Sequence, residues 1–194
     1  MKLKIEHQSS YSRGELLLRT FFGWLYIAIP HGIVLIFVCI WACILNFLAF
    51  WVVLFTGKYP KSWFEFQIKL FNWSIRLNAT LLNLIDGYPA IGVNGTSSKV
   101  SLEVPYPNSL SRGLVLIRLF FGAFYVMIPH MFCLFFRMIL GDILIFIAWL
   151  VVLFTGNYPE SWHSYQVGTF RWMTRINLYM GLFTDEYPKF SGKE

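Results

Sequence analysis

From Leu16 to Thr56 the chain runs for about 40 residues with almost no charge, roughly twice what one membrane-spanning helix needs. A second run of the same kind begins at Ser111 and ends near Phe154, and there Arg137, Gly141 and Asp142 interrupt it. Cutting at that interruption leaves two apolar helices, 111–136 and 138–154. The matching turn in the first run falls near Val38–Ala42. The pattern therefore predicts an all-α integral membrane protein with four transmembrane helices arranged as two hairpins. A single long tilted helix with a re-entrant piece is the alternative for each run.

Each run closes on Thr-Gly-x-Tyr-Pro. Gly57 and Gly156 suit a helix C-cap, and Pro60 and Pro159, after Tyr59 and Tyr158, suit the start of the next helix. In the segment that follows, Phe66, Leu70, Trp73 and Leu77 share one helical face, with Glu65, Lys69, Asn72 and Arg76 towards the other. The later segment repeats this with Tyr165, Trp172 and Ile176 against Arg171 and Arg175. An aromatic face opposite a basic face predicts an amphipathic helix lying in the membrane interface, with a third spanning helix as the alternative. Alternation at Leu3 and Ile5, and again at Val100, Leu102 and Val104, predicts a short strand ahead of each unit; pairing would clamp the units together on the cytosolic side.

The two runs belong to a duplication. Ser12-Arg13-Gly14 returns as Ser111-Arg112-Gly113, Ile29-Pro30-His31 as Ile128-Pro129-His130, and Asp86-x-Tyr88-Pro89 as Asp185-x-Tyr187-Pro188, each 99 positions on. About half of the aligned positions are identical, without a gap, which shared apolar composition does not produce. This divides the chain into a first membrane repeat (1–89), a linker rich in Gly, Ser, Asn and Pro (90–110) and a second membrane repeat (111–190).

Composition sharpens the membrane reading. Only 13% of the residues are charged and 20% are aromatic, too few charges to clothe a water-facing surface. The net charge of +6 comes from residues flanking the apolar runs rather than from a basic tail, so it points to an anionic membrane surface and not to nucleic acid. Nearly all of these cations fall on one side of the predicted hairpins. The positive-inside rule then puts both termini in the cytosol and relates the repeats by a pseudo-two-fold axis along the membrane normal. Arg19 and Arg118 are expected to reach headgroups by snorkelling, without a buried partner. Met1–Ser12 is polar, and no cleavable leader is expected. Cys39, Cys43 and Cys133 read as small buried apolar residues rather than metal ligands.

Candidate chemistry is sparse. Pro30 and Pro129 each remove a helical N–H and predict a kink, and the adjacent His31 or His130 is placed to donate to a freed carbonyl. The two-fold would also set these histidines at one depth, the geometry of a bis-histidine haem or shared metal site. Trp63, Trp162, Tyr59 and Tyr158 read as an aromatic belt. With Lys69, Trp73, Arg76, Arg171, Trp172 and Arg175 they alternatively form a rim for lipid headgroups. Asp86 and Asp185 read as local caps. No catalytic set or phosphate loop stands out, and no cofactor is expected beyond bound lipid.

The second repeat, with Arg118, Ile128-Pro129-His130, Thr155-Gly156-x-Tyr158-Pro159, Arg171-Trp172, Arg175 and Asp185-Glu186-Tyr187-Pro188-x-Phe190, resembles a bacterial membrane family known only as domain of unknown function 4389. The first repeat departs from it at Asn72 and at Gly87 and Ala90. The resemblance implies a multi-pass protein of the bacterial inner membrane and supplies no activity. The function expected is that of a non-enzymatic scaffold or accessory subunit in contact with lipids, other membrane proteins or its own copies. Lipid or small-solute transport is the alternative.

Overall fold

A computed structural model describes residues 1–194. In chain order the elements are β1 (Lys2–Ile5), α1 (Arg13–Thr56), α2 (Lys61–Leu81), β2 (Val100–Glu103), α3 (Arg112–Thr155) and α4 (Glu160–Met180). The fold is mostly helical, and α1 and α3, 44 residues each, are long and apolar enough to cross a membrane.

The predicted hairpins do not form. Both long helices run unbroken through Val38–Ala42 and through Arg137–Asp142, so four spanning helices become two long ones. Two charges and one glycine do not end a helix without a cap or a proline; a mid-helix Gly costs only about 1 kcal/mol. Arg137 turns sideways instead, donating to Thr169 Oγ1 at 2.9 Å and the Tyr165 carbonyl at 2.8 Å, with its guanidinium over the Tyr165 ring. Gly141 is a packing glycine. Gln166 Nε2 donates to its carbonyl at 2.7 Å, and a Cβ there would lie 3.3 Å from the Gln166 amide.

The prolines do leave a mark. One turn ahead of each, at Trp24–Ala28 and Ala123–Met127, the helix widens into a π turn in which the N–H of Ile29 or Ile128 reaches the carbonyl five residues back. The wide turn accommodates a residue that cannot donate. It also keeps Gly23, Ile27 and His31, spaced by fours, on one buried face; in an ideal helix of about 3.6 residues per turn that face would drift. Ser12 and Ser111 cap the starts of the long helices, and Gly57 and Gly156, at φ 70° and 77°, cap their ends as expected.

The repeats interlock reciprocally. Tyr11 N–H donates to the Gly156 carbonyl and Leu110 N–H to the Gly57 carbonyl, both at 2.8 Å, so each long helix begins against the end of the other. The predicted strands pair antiparallel with Leu3 opposite Leu102, positions that are equivalent in the two repeats, which puts the pseudo-two-fold axis through that pair. The sheet lies over α2 and α4. Asn72 exchanges hydrogen bonds with the Leu102 backbone at 2.7 and 3.0 Å, and Arg171 donates to the Leu3 carbonyl.

Consequently α2 and α4 are inner-layer helices. Their aromatic faces pack on the long helices, and the arginines of their basic faces lie under the linker, the sheet and the C-terminal tail, while Lys61 and Lys69 stay exposed. The outer layer is different in kind. Only 17% of the most apolar stretch of α1, and of α3, is buried. Phe37, Phe47 and Phe55, with Phe136, Phe146 and Phe154, point outward. Cys39, Cys43 and Cys133 are exposed on these same surfaces, not buried as their apolar surroundings implied.

Candidate functional site

Three constellations bring the singled-out residues together. The first closes each long helix on the turn after the inner helix. Asp86 accepts from the Ser12 N–H at 2.7 Å and from the Arg19 guanidinium at 2.7 Å. Asp185 accepts equivalently from Ser111 N–H at 2.6 Å and Arg118 at 2.5 Å. The carboxylate thus satisfies a free helix N–H while neutralising a guanidinium that is almost fully buried. Arg19 and Arg118 therefore do not snorkel; they are partnered inside the fold. The two aspartates do act as caps, but on a helix start 74 residues earlier in the chain and not locally as their motif suggested.

The second surrounds the histidines. Trp73 Nε1–H donates to His31 Nδ1, and Trp172 Nε1–H to His130 Nδ1, each at 2.8 Å. The partner is thus an indole on the inner helix and not a freed carbonyl of the same helix. An Nδ1 that accepts leaves the proton on Nε2, a buried N–H without a partner in either ring. Both imidazoles are fully buried. Phe190 stacks on His130 at 3.8 Å, and Tyr88 and Tyr187 flank the two rings. Each ring is boxed within its own repeat, and no group of three or more His, Cys, Asp or Glu suited to a metal gathers around either.

The third comprises the basic and aromatic residues expected to meet lipid. Arg76 donates to the carbonyls of Ala90 and Gly92, Arg175 to those of Ser191 and Lys193, and Arg171 to Gly192. They tie the linker and tail onto the inner helices. Trp73 and Trp172 are buried; Trp63 and Trp162 are half-buried against the core. Tyr59 and Tyr158 are core residues too, their hydroxyl pKa values pushed up by burial, and the Tyr59 carbonyl accepts from the Tyr106 hydroxyl. Most of these side chains are engaged within the protein itself. Lys69 alone among the cations of this set is exposed, beside Asn94.

No motif signalled the main concavity. A groove of about 540 Å³ lies between α2 and α4, with Phe71 and Asn78 on one wall and their equivalents Phe170 and Asn177 on the other. Identity of these pairs in both repeats was the one available hint. Asp142 of α3 opens into it, an exposed carboxylate without an ion-pair partner. The groove offers an apolar body with amide and carboxylate groups, a lining that fits an amphiphile.

Residues 114–192 match the family described as Domain of unknown function (DUF4389). The matched span is the second repeat, the one that carries the full motif set. No curated protein and no solved structure matches the chain.

Proposed function

We propose that this is a membrane protein that acts without catalysis, as a scaffold or accessory subunit presenting the outer faces of α1 and α3 to lipid and to helices of neighbouring membrane proteins. One observation carries the reading. Large apolar side chains cover nearly the whole outward circumference of both long helices, while Arg76, Arg171 and Arg175 of the inner helices donate to the protein's own backbone. A surface this apolar is stable only when something other than water covers it. The family resemblance and the basic residues at the helix ends favour the bacterial inner membrane, with both termini cytosolic. Purification in mild detergent followed by native mass spectrometry tests the proposal. A co-purifying membrane protein or a defined higher assembly is expected, and a lone monomer under every mild condition overturns it.

The central groove supports a second reading, retention of a lipid or similar amphiphile between the repeats. Ser74 lines the groove, and Ser74→Trp fills it. Loss of a lipid that the unaltered protein retains supports this reading, and equal retention removes it.

A further inference from the structure

We infer that α1 and α3 do not cross the bilayer but lie within a single leaflet, with the sheet, linker and inner helices held at its surface. The inference rests on the membrane reading above and concerns how the apolar face meets lipid.

Length is the first argument. Between Arg19 and Lys58 no residue of α1 is charged, a distance of roughly 57 Å at about 1.5 Å per residue. The hydrocarbon core is about 30 Å thick. A straight crossing that kept this run inside would need a tilt of about 60°, beyond the roughly 0–40° that spanning helices adopt. A helix about 10–12 Å across, lying in the plane, fits the roughly 15 Å of one leaflet.

The second argument is that no part of either long helix leaves the inner layer. Near its start α1 is held by Arg19 to Asp86, in its middle by His31 to Trp73 and by the Ala42 carbonyl to Gln67 at 2.7 Å, and towards its end Val53 shares a core cluster with Tyr59 and Phe64. In α3 the same holds for Arg118, His130, Arg137 and Gly141. A spanning helix would carry its middle or its far end away from these partners. Here every few turns are tethered to α2 or α4, or to the turns that follow them.

Polarity is layered in the same sense. On the far side of the inner helices Lys2, Lys4, Glu6, Asn94, Ser101 and Glu103 are exposed, whereas the outer faces of α1 and α3 expose Phe, Ile, Leu and Trp along their whole length. The mid-helix cation, Arg137, turns inward to Thr169 and Tyr165. A spanning helix would carry this residue to the bilayer centre, where cations are costly; in one leaflet it points back to the polar layer. A face apolar on three sides and tethered on the fourth matches the acyl region of one leaflet.

The full chain in sealed vesicles tests this, with Cys39, Cys43 and Cys133 replaced by Ala and single cysteines placed at Lys4, Phe37, Phe47 and Phe136. The expected result is that a membrane-impermeant maleimide labels Lys4→Cys from one face only and labels no position from the other. Nitroxide labels at Phe37→Cys and Phe136→Cys should report hydrocarbon depths short of the bilayer midplane, measured from the face that exposes Lys4. Labelling of any α1 or α3 position from the opposite face, or depths beyond the midplane, overturns the inference while leaving a membrane protein. Failure of the chain to float with vesicles, or its release by alkaline carbonate, overturns the membrane reading itself.

Discussion

Asp185 holds Arg118 with no second carboxylate to help. In the first repeat Glu15 shares Arg19 with Asp86, its carboxylate 3.1 Å from the guanidinium, but the position equivalent to Glu15 is Leu114. Removing one partner of a buried ion pair costs about 3–5 kcal/mol where no other group compensates. Asp185→Asn should therefore lower the thermal midpoint clearly more than Asp86→Asn, with both proteins compared in one detergent; equal losses would show that Glu15 does not share the load. His163 supplies a pH dependence. Burial, and then the neighbouring His7 ring, push its pKa down to about 4, against the pull of the Leu84 carbonyl at 3.2 Å. The folded state thus binds fewer protons than the unfolded chain, whose histidine titrates near 6.5. The contribution is complete above about pH 6.5 and is lost as pH falls towards 4, on the order of 3 kcal/mol across that window. Phe64 occupies the equivalent place in the first repeat, so His163→Phe should flatten this acid loss in a thermal scan taken from pH 7 to 4. The arginines show where single residues misled. Arg76 looks like a surface cation on a helical face, and only the return of residues 90–92 over it makes it a latch.

Among the elements, the ends of helices were legible and their middles were not. Thr-Gly-x-Tyr-Pro is a local stop signal, because an αL glycine and the following proline act through their own backbones. Gly57→Ala tests this. The position has φ 70° and its Cβ would lie 3.2 Å from the Leu110 carbonyl, whereas the nearest neighbour at Gly156 is 3.7 Å away. Strain of about 1–2 kcal/mol for the left-handed backbone applies to both. Gly57→Ala should lower the thermal midpoint more than Gly156→Ala, and the reverse order would contradict the close approach. The interruption at Arg137–Asp142 looked like a turn because charge in an apolar run usually marks an exit from lipid. Whether it breaks a helix depends on what receives the charge, and Thr169 and Tyr165 lie roughly thirty residues further along the chain.

At the scale of the whole molecule, the reciprocal joins Tyr11–Gly156 and Leu110–Gly57 are equivalent contacts made twice. A second repeat expressed alone, from residue 91 to the end, should close the same contacts with another copy and run as a dimer in detergent. A stable monomer would mean that the joins add little. The sequence by itself determined the duplication, the apolar or amphipathic character of each segment, the glycine caps that end the long helices, and the two strands with the symmetry that pairs them. These follow from patterns within a few residues, or from identity between two stretches, and need no knowledge of what packs where. Only the tertiary structure decided that the long helices are continuous, that the arginines of α2 and α4 are covered, that His31 and His130 are boxed by tryptophans, and that a groove opens between the repeats. Each of these depends on a partner distant in sequence, and burial of a charge or a ring is a property of its surroundings rather than of the residue.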